Sequence, residues 1–139
     1  MAKIIREMMT PDPVVCSPET SLRDAARMMR DHDIGDVLVA DAGRLMGIVT
    51  DRDLVVRGVA EGMDPSAVTV GSLCSTEIRT LAPDDSIREA VDAIRDYAIR
   101  RLPVVENGMP VGMVSLGDLA LEQDPGSALA DISAAPATQ

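Results

Sequence analysis

Residues 18–54 read PETSLRDAARMMRDHDIGDVLVADAGRLMGIVTDRDL, and residues 83–119 read PDDSIREAVDAIRDYAIRRLPVVENGMPVGMVSLGDL. The offset is 65 residues, no gap is needed, and about a third of the positions are identical. The identities include Pro18/Pro83, Ser21/Ser86, Ala25/Ala90, Ile34/Ile99, Gly43/Gly108, Gly47/Gly112, Asp53/Asp118 and Leu54/Leu119. An ungapped internal match of this length marks a duplicated structural unit, here of roughly 50 residues.

Both copies read in the same order. A β-prone stretch (13–17; 77–81) leads to a proline and then to Ser21 with Asp24, or Ser86 with Glu89, pairs that resemble capping boxes at a helix start. Leu22, Ala25, Ala26 and Met29 recur at helical spacing, as do Ile87, Ala90, Val91 and Ile94, so these faces are expected to turn inward. Two strands follow in each copy, 37–40 with 45–50 and 102–106 with 111–115. Their turns are Asp41-Ala42-Gly43-Arg44 and Asn107-Gly108, the latter a strong hairpin signal because Asn and Gly tolerate positive φ. A helix then begins at Asp51 and again at Leu116. The expected unit is β-α-β-β-α, in an α/β (α+β) fold. Residues 1–9 form a helical segment, 10–60 the first repeat, 61–73 a connector and 74–123 the second repeat. The tail, 124–139, has little to bury and is expected to be mobile.

Composition narrows the function. The 139 residues include no Phe or Trp, one Tyr (Tyr97), nine Met, one His (His32) and two Cys (Cys16 and Cys74). Aliphatic side chains and adaptable Met must therefore fill the core. A net charge of −10 argues against a binder of phosphate backbones, and one aromatic residue argues against stacking on single-stranded bases. No apolar run approaches the ~20 residues of a membrane span, and MAKIIREMM lacks the features of a signal peptide, so a cytoplasmic protein is expected. Two cysteines make no disulfide framework; they are either buried thiols or a redox pair. One histidine makes zinc sites and His-dependent triads hard to build, and Asp31, Asp33, Asp36 and Asp41 lack the spacing of a calcium loop. No metal ligands or catalytic residues are expected, and the chain reads as a non-enzyme.

The chemistry-bearing feature is the junction of the third strand with the last helix: Gly47-Ile48-Val49-Thr50-Asp51-Arg52-Asp53-Leu54 and Gly112-Met113-Val114-Ser115-Leu116-Gly117-Asp118-Leu119. A hydroxyl closes each strand and an Asp follows three residues later. Either the hydroxyls are N-caps and the acids complement the helix dipole, or the hydroxyl donates to a phosphate or sugar oxygen while the carboxylate accepts from ribose hydroxyls.

The duplicated pattern resembles the CBS domain, named for cystathionine β-synthase, and the pair resembles a Bateman module. The resemblance is carried by Gly47-Ile48-Val49-Thr50-x-x-Asp53 and Gly112-Met113-Val114-Ser115-x-x-Asp118, with Met9-Thr10-Pro11 and Arg101-Leu102-Pro103-Val104-Val105 in support. The stretch His32-Asp33-Ile34-Gly35, together with Thr50-Asp51-Arg52-Asp53-Leu54, is similar to stand-alone two-CBS proteins of bacteria, some of which belong to hypoxia or dormancy responses. The resemblance implies two pseudo-twofold-related repeats packed through their sheets, with two clefts that hold AMP, ADP, ATP or an S-adenosyl compound. Carried over by position, one cleft uses Val15, Cys16, Ile34, Gly35, Asp36, Thr50 and Asp53, with Arg52 nearby. The other uses Thr80, Leu81, Ile99, Arg100, Arg101, Ser115 and Asp118. No cofactor is implied beyond such a ligand.

The two sets differ in charge. Arg100 and Arg101 stand where the first copy has Gly35 and Asp36, while Arg52 and Arg57 stand where the second has Gly117 and Glu122. Guanidinium groups match phosphate oxygens, so at most one cleft is expected to bind a nucleotide tightly. The resemblance also implies a homodimer formed through the helices, with Met28, Met29, Ala93, Ile94, Leu54 and Val55 as candidate surface. Two function classes remain: a regulatory module that senses an adenine nucleotide and signals to a protein partner, or a ligand-free structural CBS-pair dimer in a stress response.

Overall fold

The structure is a computed structural model that describes residues 4–97 and 99–123. In chain order it contains a 3-10 turn (Ile5–Glu7), β1 (Thr10–Pro11), β2 (Val15–Cys16), α1 (Leu22–His32), β3 (Asp36–Asp41) and β4 (Arg44–Thr50). Next come α2 (Asp51–Asp53), which runs on as a π-helical stretch over Leu54–Val59, and α3 (Val70–Leu73). The second copy supplies α4 (Ile87–Tyr97), β5 (Arg101–Glu106), β6 (Met109–Ser115) and α5 (Leu116–Gln123). The fold is mixed α/β with two three-stranded sheets, β2-β3-β4 and β1-β6-β5.

The chain divides into two compact units. Pro13–Ile78 forms the first, and residues 4–12 with 79–123 form the second. In the first, β2 runs parallel to β3 (Cys16 opposite Val39) and β3 antiparallel to β4. The second repeats this at an offset of 65, with β5 antiparallel to β6 and Leu81 opposite Val104 in a parallel bridge. The stretch 77–81, expected as a strand, thus contributes one rung. Val37, Val39, Val49, Leu22, Ala25 and Met29 fill the first core, and Leu102, Val104, Val114, Ile87, Ala90 and Ile94 the second. Ala26, expected on the inward face of α1, is exposed: the buried stripe is Leu22, Ala25 and Met29, one residue per turn.

Helix ends and turns follow their residues. Ser21 accepts from the Asp24 N–H at 3.1 Å, and Ser86 and Glu89 cap each other reciprocally at 3.1 and 3.2 Å. Asp33 closes α1 at φ 54°, and the Ile34 N–H returns to the Met29 carbonyl at 3.0 Å. Both hairpins turn through two positive-φ residues, Asn107-Gly108 and Ala42-Gly43.

The edge of each sheet comes from the leader of the other copy. Thr10 in β1 lies opposite Met113 on β6, and its counterpart Ser75 pairs with Ile48 on β4 through bonds of 2.9 and 3.0 Å. Before each of these rungs comes a short helical turn that anchors the leader: Ile5 and its counterpart Val70 are both fully buried. Of the helical segment expected over the first nine residues, residues 1–3 lie outside the described residues and the described part contains a 3-10 turn, Ile5–Glu7; the connector contains α3. The tail from residue 124 lies outside the described residues.

Gly47 and Gly112 are the points where these leaders cross. A Cβ on Gly47 would lie 2.5 Å from the Ser75 carbonyl oxygen and 2.9 Å from Cys74 Sγ. One on Gly112 would lie 2.5 Å from Met9 Sδ and 3.0 Å from the Thr10 carbonyl oxygen. The worst obstacle to Gly47 is backbone already held in the ladder, whereas Met9 is a flexible side chain. Gly47→Ala is expected to cost about 2–3 kcal/mol or to prevent folding, and Gly112→Ala distinctly less; urea unfolding midpoints of the two variants check the order.

Candidate functional site

The two strand-to-helix junctions have the same geometry. Thr50 Oγ1 accepts from the Asp53 N–H at 3.1 Å, and Asp53 Oδ2 accepts from the Thr50 N–H at 2.9 Å. Ser115 Oγ accepts from the Asp118 N–H at 3.0 Å, and Asp118 Oδ2 accepts from the Ser115 N–H at 2.9 Å. Each pair is a reciprocal cap, so the N-cap alternative read from the spacing describes the structure. The caps leave chemistry over. A hydroxyl that accepts still has its own hydrogen to donate, and each carboxylate keeps its second oxygen.

The preceding strand is tied to each junction. The Asp51 N–H donates to the Gly35 carbonyl at 2.9 Å, and the Leu116 N–H to the Arg100 carbonyl at 2.8 Å. Asp36 lies opposite Thr50 in the ladder, and Arg101 opposite Ser115. The structure thus brings together Gly35, Asp36, Thr50, Arg52 and Asp53 in the first unit, and Arg100, Arg101, Ser115 and Asp118 in the second. Ile34 and Ile99 are half-buried against their own cores. Val15 is 37% exposed on β2, and Thr80 is exposed just before the Leu81 bridge.

Cys16 and Leu81 depart from the expected sets. A strand alternates its faces, so Val15 points out while Cys16, 8% exposed, joins the core of the first unit; Leu81 does the same in the second. Of the expected helix surface, Met29, Ile94 and Leu54 are core residues and Met28 and Ala93 pack half-buried against them. Val55 is the exposed member, with Val59 beside it in the π-helical stretch, at 58% and 60%.

Arg57, read from the sequence as a cation at this junction, lies beside Asp53 with leader residues that are outside the expected sets. Arg57 donates from Nη1 to the Leu73 carbonyl at 3.0 Å and places Nε 3.8 Å from Asp53 Oδ1. A pocket of about 360 Å³ opens there, lined by Arg57, Cys74, Ser75, Thr76 and Glu77. The leader residues in this set lie outside the aligned 37-residue window. Their signal was the match of Cys74-Ser75-Thr76 to Met9-Thr10-Pro11 at the same offset.

A family model for the CBS domain matches residues 5–59 and 70–123. The chain belongs to the CBS-domain family. It is 37% identical over 133 residues to the CBS domain-containing protein YhcV of Bacillus subtilis, covering 93% of this chain and 94% of that protein. Hypoxic response protein 1 of Mycobacterium tuberculosis is 35% identical over 83% of this chain and 81% of its own length. Its crystal structure, solved with two coordinated zinc ions, superposes with a TM-score of 0.78 over 84% of this chain and 96% of that one. The CBS domain pair of protein MJ0100, crystallised with 5-methylthioadenosine and S-adenosyl-L-methionine, has the same fold at a TM-score of 0.78 and 21% identity, over 89% and 98% of the two chains. Among the described residues of this CBS pair, no group of three or more His, Cys, Asp or Glu side chains could hold a metal ion, and no helix is long and apolar enough to cross a membrane.

Cys16 and Cys74 are free and share the core of the first CBS unit. Cys16 lies opposite Val39, and Val39 opposite Gly47, the glycine that Cys74 Sγ approaches. Burial raises both thiol pKa values above the ordinary 9.0. A thiol raised in the folded state stabilises the fold fully below its unfolded pKa and ceases to as pH rises through the folded value. The urea midpoint is therefore expected to fall over the alkaline interval above about pH 8.5. A Cys16→Ala/Cys74→Ala variant, although less stable at pH 7, should fall less steeply over the same interval.

Proposed function

We propose that this CBS pair is a non-enzymatic regulatory module that binds an adenine nucleotide or related adenosyl ligand at its capped strand-to-helix junctions and passes the bound state to a protein partner. The observation that carries the reading is the twin reciprocal cap. Each one holds a hydroxyl donor and a carboxylate acceptor at fixed separation, and the molecule contains the arrangement twice. The donor suits a phosphate or sugar oxygen, and the second carboxylate oxygen suits a ribose hydroxyl. With no Phe or Trp and a single Tyr, an adenine would rest on aliphatic groups, with Val15, Ile34 and Ile99 the nearest candidates. Arg52, Arg100 and Arg101 lie beside the caps and supply cations for phosphate oxygens. The ligands crystallised with the MJ0100 pair are compatible with this chemistry.

The ligand-free reading has one observation in its favour: both caps are complete without a ligand. Thermal unfolding separates the two. A ligand present at a hundredfold excess over Kd stabilises the folded state by about 2.7 kcal/mol. AMP, ATP or S-adenosylmethionine is expected to raise the Tm of the wild-type chain. The gain should be lost when Asp53→Asn and Asp118→Asn are combined, since Asn keeps a cap acceptor but loses the charge. An unchanged Tm with every adenosyl ligand at millimolar concentration would leave the structural reading.

The apolar helix faces fit a second copy of this chain. In the second unit an apolar groove of about 570 Å³ runs along α4 and α5, with Ile87, Val91, Ile94, Leu116 and Leu119 among its walls. In the first, Val55, Val56 and Val59 are exposed on adjacent turns. Sedimentation is expected to show a dimer at micromolar concentration, and Val59→Glu with Val91→Glu to shift it to monomer with the far-ultraviolet spectrum retained.

A further inference from the structure

We propose that a second copy docks head to tail. The face made by α1 and the π-helical stretch of one chain seats on the α4–α5 groove of its partner, with Val55 against the partner's Ala120 and Ala26 against the partner's Val91. The inference rests on the dimer reading above and adds which face meets which.

The two repeats carry the same pair of helices with opposite relief. In the second unit, Val91 on α4 and Ala120 on α5 both line the groove of about 570 Å³. Their counterparts at the 65-residue offset are Ala26 on α1 and Val55 in the π-helical stretch, and both are exposed. The larger side chain thus stands on the first helix of the pair in the second unit and on the second helix in the first unit. With α1 laid on α4 and the π-helical stretch laid on α5, each Val meets an Ala and the combined volume is even across the contact. Like faces in the same alignment would set Val55 on Val55 and Ala26 on Ala26, overpacked at one point and open at the other. Gly58 explains why the valines stand out. A Cβ there would lie 2.3 Å from Leu22 Cδ1, so the stretch rests on α1 through Gly58, and Val55, Val56 and Val59 are left exposed.

Charge favours the same pairing. Arg88 and Arg95 are the charged residues lining the groove, and their ion pairs with Asp92 and Asp96 leave further N–H groups on each guanidinium. Groove on groove would set these cations against their own copies. Glu61 and Asp64, exposed in the chain just past Val59, offer carboxylates instead. Twofold symmetry repeats the contact between the remaining two units, so the pairing closes at a dimer.

Cross-linking of the full chain tests the pairing. Ala26→Cys and Val91→Cys are made in separate chains, one of them 15N-labelled, mixed, and mildly oxidised. Wild type, with Cys16 and Cys74 buried, is the blank. Because a disulfide needs Cα atoms within about 7 Å, covalent dimers joining the two kinds of chain are expected at least about fivefold in excess over dimers of either kind with itself. A sedimentation series supplies a second reading. Ala120→Val is expected to weaken the dimer at least about fivefold, and added Val55→Ala to recover most of that loss. Like-with-like cross-links in excess, no cross-link between the two kinds of chain, or a loss that Val55→Ala fails to recover would overturn the head-to-tail pairing and leave the dimer reading standing. A wild-type chain that stays monomeric at micromolar concentration overturns both.

Discussion

The crossing of a leader segment over a glycine is the constraint on which this fold depends. At Gly47 the backbone of Ser75, and at Gly112 the side chain of Met9, occupy the space of a Cβ. Those contacts let Ser75 add a rung beside β4, and let Thr10 and Pro11 form the edge of the β1-β6-β5 sheet. A cut at the repeat borders would leave each sheet without its edge and each core without a fully buried aliphatic residue, Val70 in one and Ile5 in the other. The duplicated sequence unit and the folded unit are therefore different objects. Residues 10–12 belong to the first repeat by alignment and to the second unit by packing.

The same construction prepares the junctions. Strand β4 is pinned on one side by β3 and on the other by Ser75, so Thr50 leaves the sheet at a defined point and caps the helix that follows. Capping satisfies backbone N–H groups that a helix start otherwise leaves to solvent, and it orders the hydroxyl and carboxylate at no further entropic cost when a ligand arrives. Structural and ligand-binding roles for Thr50 and Asp53 are thus compatible, because a cap uses one lone pair and one carboxylate oxygen. The π-helical stretch after Asp53 distinguishes the first unit. Its wider turn, with the Ala60 N–H reaching back to the Val55 carbonyl at 2.8 Å, leaves Val55 and Val59 outside and lets Arg57 reach Leu73.

Much of this was legible in the sequence, and the reasons differ by feature. The helices α1 and α4, the hairpins and both caps follow from local chemistry: a Ser or Thr three residues before an acid, or an Asn-Gly pair between apolar runs. The burial of Cys16 was legible in principle from strand alternation, since Val15 and Cys16 cannot share a face. The exchanged leaders were not, because a two-residue strand and a single bridge carry no periodicity, and their pairing is decided by glycines about 27 residues or 100 residues away in the chain. The Arg57 pocket was hidden for the same reason. It joins a helix of the first repeat to the leader of the second, and the short aligned window separated them.

The central claim is that the capped junctions are where an adenosyl ligand is read. Amide 1H–15N chemical shifts recorded during titration with AMP test it most directly, because the Thr50, Asp53, Ser115 and Asp118 N–H groups are themselves the capping donors. The account predicts that the largest shifts fall on these amides and their immediate neighbours in at least one junction, saturating with a single affinity there. Saturable shifts confined to other surfaces, or no shifts at millimolar AMP, would contradict it.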